Sequence, residues 1–257
     1  SLDVDYWIVM TRDGDTFTMN LYVVDDLGGT SIGTATVTRS GASTTLSWVT
    51  HNAACHSSLG ADRWKADFDD LTVYDGVSEV PSSGNFHQAI SPITLYYANG
   101  VLKQTLTSVA YGDETVPITV TGGGEESRPY THHDGFDTPS NWNIAANDGG
   151  TAQVSGGIAQ LIDVGTNAGS GIWKQLPFTL DAEAWVVSTK FTQHQQSGTA
   201  GSSFPLVIYE SEVVPCTSAC HPLNTNADSN VSIYVNAANK TWAIETRDNY
   251  TRLSHCA

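Results

Sequence analysis

Ala66-Asp67-Phe68-Asp69-Asp70-Leu71-Thr72-Val73-Tyr74-Asp75-Gly76 is the stretch on which the reading of the fold turns. Phe68, Leu71 and Val73 supply its apolar positions, and Asp69-Asp70 interrupt the run where a strand enters a sheet from a loop. Upstream, Phe17, Met19, Leu21 and Val23 share one face of a period-two run, with Thr16, Thr18, Asn20 and Tyr22 on the other. That alternation is the mark of a half-buried antiparallel strand. Asp13-Gly14-Asp15 signals the hairpin before it, and Ile8, Met10, Leu46 and Trp48 add core positions. No segment keeps a helical period over some eleven residues, so the chain reads as all-β.

The 257 residues suffice to bury a core, and 15% charged residues with 23 glycines are the makeup of a turn-rich β-protein. A net charge of −16 argues against a nucleic-acid partner, whose phosphates demand clustered Lys and Arg, and equally against anionic membrane surfaces. No apolar run approaches the roughly 20 residues of a spanning helix, so no membrane insertion is expected. The chain opens at Ser1 without Met or a signal-like segment, as a mature or excised piece would. Sequons at Asn230-Val231-Ser232, Asn239-Lys240-Thr241 and Asn249-Tyr250-Thr251 make Asn230, Asn239 and Asn249 candidate glycosylation sites. They point to an extracellular or cell-surface location.

From Val77 the character changes. Pro81-Ser82-Ser83-Gly84 and Gly122-Gly123-Gly124-Glu125-Glu126 read as linkers. Between them, residues 93–97, the Asn99-Gly100 turn and residues 101–106 read as a hairpin, with a further strand at 116–120. Strand patterns resume from Asp134, at 154–162, 172–178, 184–191, 204–209, 231–235 and 241–246.

An acidic pair followed by alternating apolar residues, as in Asp69-Asp70-Leu71-Thr72-Val73, resembles the closing strand of concanavalin A-like (laminin G-like) jelly rolls. Asp134-Gly135-Phe136-Asp137 followed by Trp142 looks like their opening strand, yet it lies downstream. The resemblance implies a concanavalin A-like jelly-roll β-sandwich with its halves in permuted order. Residues 1–76 would be the C-terminal half, residues 134–257 the N-terminal half, and residues 77–133 a linker with a small β-hairpin insert. A circular permutant, a piece cut from a tandem array and half-sandwiches completed by neighbouring copies all fit that order. With opening and closing strands adjacent, Asp69 and Asp70 would lie beside Asp134 and Asp137, an oxygen-rich set suited to a structural Ca²⁺.

The four cysteines, Cys55, Cys216, Cys220 and Cys256, allow three disulfide pairings. The close pair Cys216 and Cys220 would staple the 210–229 loop and leave Cys55 with Cys256. Histidines adjoin three of them, at Cys55-His56, Cys220-His221 and His255-Cys256, so a Cys/His zinc site competes. Cys216-Thr217-Ser218-Ala219-Cys220-His221 also resembles a lengthened c-type haem attachment motif, with thioethers at Cys216 and Cys220 and His221 on the iron.

A retaining glycosidase needs two carboxyl groups about 5 Å apart on one face. The Glu-x-Asp-x-x-Glu strand of concanavalin-like glucanases is absent; Glu210-Ser211-Glu212 comes nearest but falls at a strand end before Pro215. Gly-x-Ser-x-Gly is absent too, so no catalytic residue is assigned. Trp48 alternates with Leu46 and Trp185 with Val187, as core residues do, whereas Tyr22, Tyr96, Tyr97 and Tyr234 are freer to meet a ligand. The expected function is a non-enzymatic extracellular structural or adhesive protein that self-associates head to tail into a filament or surface layer. A calcium-dependent carbohydrate-binding module, with glycans as partners, is the alternative, and a c-type haem redox protein the third.

Overall fold

The computed structural model describes residues 3–23, 30–41, 45–54, 63–79, 95–97, 100–102, 108–111, 114–117, 131–147, 149–164, 169–197, 202–212, 230–236, 241–248 and 251–256. Five strands come first: β1 (Asp5–Asp13), β2 (Thr16–Val23), β3 (Gly33–Thr38), β4 (Trp48–Ala54) and β5 (Arg63–Asp75). Four short ones follow: β6 (Leu95–Tyr97), β7 (Gly100–Leu102), β8 (Ser108–Tyr111) and β9 (Glu114–Pro117). Then come β10 (Thr131–Asp134), β11 (Asn143–Asn147), β12 (Thr151–Ser155), β13 (Ile158–Val164) and β14 (Gly169–Gln175). The chain ends with β15 (Ala184–Ser197), β16 (Ser202–Tyr209), β17 (Asn230–Asn236), β18 (Thr241–Asp248) and β19 (Thr251–Cys256).

The chain divides into two compact units, Ser1–Val80 with Pro129–Ala257, and Pro81–Arg128. Within the smaller unit β6 pairs with β7 and β8 with β9, each antiparallel. The larger unit is an all-β sandwich of two antiparallel sheets. One has eight strands, ordered β12-β13-β5-β15-β1-β2-β3 with β10 also on β5; the other has seven, ordered β11-β14-β4-β16-β17-β18-β19. Both sheets contain strands from before and after the insert, with β5 between β13 and β15 and β4 between β14 and β16, so the two halves complete one another within one chain.

The decisive stretch lies at the centre of the larger sheet. Along one edge β5 pairs with β13 through Arg63–Phe68 and with β10 through Leu71–Tyr74; along the other it pairs with β15. The Asp69-Asp70 pair is not the point where the strand leaves a loop, as its pattern suggested, but a bulge within a continuous strand. Ser188 faces Thr72 and Lys190 faces Asp69, so one residue of β15 is matched by two of β5, and Asp70 takes φ +50°. The extra residue resets the alternation. Phe68, Leu71 and Val73 are all buried on the core side despite their uneven spacing.

Two other departures have local causes. The run 154–162 is two strands: Gly156 and Gly157, with φ +61° and +84°, form a tight turn that pairs Ser155 with Ile158. The expected opening strand at Asp134-Gly135-Phe136-Asp137 is a turn. The Phe136 N–H donates to Asp134 Oδ1 at 2.8 Å, Phe136 sits at φ +57°, and a 3₁₀ turn (Pro139–Asn141) leads into β11. The strand that does lie against β5 is β10, just upstream.

One core fills the space between the sheets, with Phe17, Phe68, Phe136, Trp185 and Phe191 among its fully buried side chains. Each outer face carries a smaller apolar patch: Val9, Tyr22 and Val186 on the larger sheet, and Phe204, Val207, Tyr209, Tyr234 and Ala243 on the smaller. Trp185 is core as its alternation predicted, but Trp48 packs on the outer patch of the smaller sheet, because β4 turns Val49 and His51 inward.

Candidate functional site

Residues that alternate outward from the core of the larger sheet gather into an open, strongly polar surface. Asp69, Lys190, Trp7 and Tyr22 are successive cross-strand neighbours on β5, β15, β1 and β2. The next row runs Gln160, Asp67, Thr192 and Asp5. Side chains from these rows and His194 enclose a cleft of about 240 Å³, lined by Asp5, Asp67, Asp69, Ile158, Lys190, Thr192 and His194.

A second bulge places His194. Gln193 faces Ala66 and Gln195 faces Lys65, so His194 has no partner residue on β5 and its ring is re-aimed along the sheet. Its Nδ1 lies 2.8 Å from Asp3 Oδ1 and its Nε2 3.0 Å from Asp67 Oδ2. Burial alone would lower the imidazole pKa, but the hydrogen bonds to Asp3 and Asp67 outweigh it and the net shift is upward. The cation is therefore favoured where two carboxylates meet.

The rest of the cleft is equally well held. Gln160 Nε2 donates to Asp67 Oδ1 at 2.8 Å, the Thr192 hydroxyl donates to Asp5 Oδ1, and Lys190 Nζ lies 3.6 Å from Asp5 Oδ2. Asp69 accepts from the Asp70 N–H, yet burial and then the neighbouring Asp70 charge raise its pKa. The result is a preorganised mix of acceptors and donors beside an aromatic pair.

The same face continues past Trp7 and Tyr22 into a groove of about 390 Å³ lined by Thr11, Asp13, Thr16, Thr18, Asn20 and Tyr22, closed on one side by Ser78 and Glu79. Its hydroxyls form cross-strand ladders: Thr18 and Thr36 lie 3.2 Å apart, and Thr34 donates to Asn20 at 2.8 Å. Val77 and Tyr74 pack against the apolar patch between cleft and groove. An acidic cleft, an aromatic step and a hydroxyl-lined groove thus follow one another along one sheet face.

The residues assigned to calcium are only partly brought together. β10 does lie beside β5, with Asp134 opposite Leu71. Asp70 turns outward to His133, 3.2 Å away, whereas Asp134 turns inward to Lys174 and is buried. Asp137 lies against Gly135 and Gly157. Among the described residues no group of three or more His, Cys, Asp or Glu side chains is arranged around a common point as a metal site, and no helix is long and apolar enough to cross a membrane.

Asn230 begins β17 with its side chain buried, 2% exposed, which leaves no room for a glycan and corrects that assignment. Asn239, Asn249, Cys55, Cys216, Cys220 and His221 lie outside the described residues. Cys256 ends β19. Glu210 and Glu212 take separate partners, the Thr45 hydroxyl and the Trp173 indole N–H at 3.0 Å.

Asp5, Lys190, Thr192 and His194 were not singled out from the sequence. Period-two alternation opposite Phe191 and Ile8 marks the first three as outward-facing, but the bulge that aims His194 leaves no signature in one sequence. No family profile and no curated protein matches this chain.

Proposed function

We propose that this chain is a non-enzymatic glycan-binding module of an adhesive extracellular protein, with the outer face of the larger sheet as its binding surface. The observation that carries the reading is the cross-strand row Asp69, Lys190, Trp7 and Tyr22 beside the Asp5, Asp67, Thr192 and His194 cleft. A sugar presents hydroxyls that both donate and accept, plus an apolar ring face. Fixed carboxylates, an ammonium and an aromatic ring on a rigid sheet answer each of those features. The hydroxyl-lined groove extends the surface along one direction, which suits a chain of several sugars rather than one.

Titration against a panel of soluble polysaccharides and glycan fragments tests this. Saturable binding by the monomer is expected, with Trp7→Ala or Lys190→Ala weakening it at least about tenfold, the loss of roughly 1.4 kcal/mol. Absence of binding across the panel overturns the reading. Repeating the titration with calcium and then with chelator tests the calcium-dependent version through Asp69, Asp70 and Asp137, and an absorbance scan for a Soret band tests the haem reading.

Self-association is a second reading, favoured by four terminal strands that have a neighbour on one side only among the described residues. The larger sheet ends in β3 and β12 and the smaller in β11 and β19, with Ile144 on β11 43% exposed. Because both halves pair within one chain, assembly would join edges rather than exchange half-sandwiches. Light scattering on the native protein decides between monomer and polymer.

A further inference from the structure

Between the sheets, a lysine and an aspartate meet in a setting that glycan binding does not use. Lys174 on β14 of the smaller sheet places Nζ 2.5 Å from Oδ2 of Asp134 on β10 of the larger one, with side chains 9% and 7% exposed. Rings wall the pair: Nζ lies 5.2 Å from the centroid of Trp142, which stacks on Phe136 at 4.8 Å. The Phe136 N–H donates to the other carboxyl oxygen, Asp134 Oδ1, at 2.8 Å. His132 Nε2 stands 3.4 Å from Nζ. Burial and then the Lys174 charge lower the His132 pKa, so the ring is neutral and able to accept a proton.

We propose that Lys174 and Asp134 condense into an intramolecular amide, a covalent cross-link between the two sheets formed by the folded chain itself. In a water-poor, low-dielectric setting an ammonium and a carboxylate exchange a proton to reach the neutral amine and acid, which are the reactive forms. The short Nζ–Oδ2 contact carries that proton from nitrogen to oxygen. The Nζ lone pair then adds to Cγ, while the Phe136 N–H stabilises the charge developing on Oδ1. His132 takes a second proton from the nitrogen and returns it to Oδ2, the Cγ–Oδ2 bond breaks, and one water leaves. Three ammonium protons end as one amide proton and two on water, so the step needs no oxidant, reductant or activating group.

The ion pair is the resting form, since Lys174 and the Phe136 N–H outweigh burial and hold Asp134 below the usual carboxylate range. The reactive neutral pair is therefore minor and condensation slow. One turnover suffices, however, and the fold holds the reacting atoms at contact indefinitely. The bond would close 40 residues of chain and remove two buried charges from the core.

Mass spectrometry of the reduced, denatured chain tests this independently of any glycan. The expected chain is one water lighter than its sequence, and its digest contains a branched peptide joining Lys174 to the segment around Asp134. Asp134-Gly135 can also lose water as a cyclic imide; that product would persist in Lys174→Arg, open in mild base and give no branched peptide. Full sequence mass, or a water loss that maps to the imide, overturns the proposal, and the native chain decides it even where variants fail to fold. In freshly made His132→Ala the linked fraction is expected to appear several-fold more slowly; an unchanged rate would remove His132 from the reaction.

Discussion

Two histidines in this protein have opposite fates. His51, on β4, is fully buried between the sheets, stacked 4.5 Å from Phe68 and flanked by Phe136 and Trp142. Its Nδ1 donates to the Pro205 carbonyl at 2.6 Å, and burial pushes its pKa down to about 4, against the weaker upward pull of that bond and Asp134. His194, on the outer face, is pulled up by Asp3 and Asp67. The same side chain is a neutral core ring in one place and a favoured cation in the other. The difference lies in whether carboxylates or hydrocarbon surround it.

That contrast extends to the ion pairs and orders the expected effects. Measured against the chain before any amide has formed, Lys174→Ala strands a buried carboxylate and is expected to cost about 3–5 kcal/mol in urea unfolding. Lys190→Ala, facing Asp5 on the surface, should cost under about 1 kcal/mol. Equal losses would mean that the interior pair is hydrated and the contrast false.

The next effect is acid sensitivity. Because the folded His51 pKa lies below its ordinary 6.5, the unfolded chain binds the extra proton. The stability His51 allows is complete above pH 6.5 and is lost as pH falls towards about 4, a change of order 3 kcal/mol. His51→Phe keeps the stacked ring but removes this acid limb, at the cost of about 1 kcal/mol for the lost bond to Pro205. Unfolding midpoints at several pH values in the two proteins check it.

The outer cluster should respond with the opposite sign and less strongly. The raised His194 pKa makes its contribution complete below pH 6.5 and lost as pH rises through the higher folded value. His194→Ala should cost below about 1 kcal/mol in acid and almost nothing at high pH. A larger cost at high pH would mean that the ring holds the bulge by packing rather than by charge. Smallest and opposite in direction, Asp70→Gly should add up to about 1 kcal/mol by relieving a left-handed residue, seen as a modest rise in melting temperature.

Much of the framework was legible because alternation is a local signal. β2 falls where Phe17, Met19 and Leu21 placed it, and β16, β17 and β18 fall within two residues of their patterns. The pattern failed where the backbone leaves the regular strand. Gly156-Gly157 splits one expected strand into two, Asp70 hides a bulge, and Phe136 turns where a strand was expected. β19 escaped notice because Thr251-Arg252-Leu253-Ser254-His255-Cys256 offers little apolar alternation for an edge strand. The candidate site was less legible than the fold. Asp67 and Asp69 stood in the decisive stretch, but their companions Asp5, Lys190 and His194 come from strands far apart in the chain.

The sequence by itself determined the all-β class, the place of residues 66–76 as a strand of the sandwich and the separate character of the insert, since each follows from composition and short-range periodicity. Only the tertiary structure decided that Asp134 turns inward to Lys174, that His194 lies between two aspartates, and that the halves interleave within one chain. Strand order and bulge placement are set by which apolar faces can be buried together, and that is a property of the assembled sheets rather than of any one stretch.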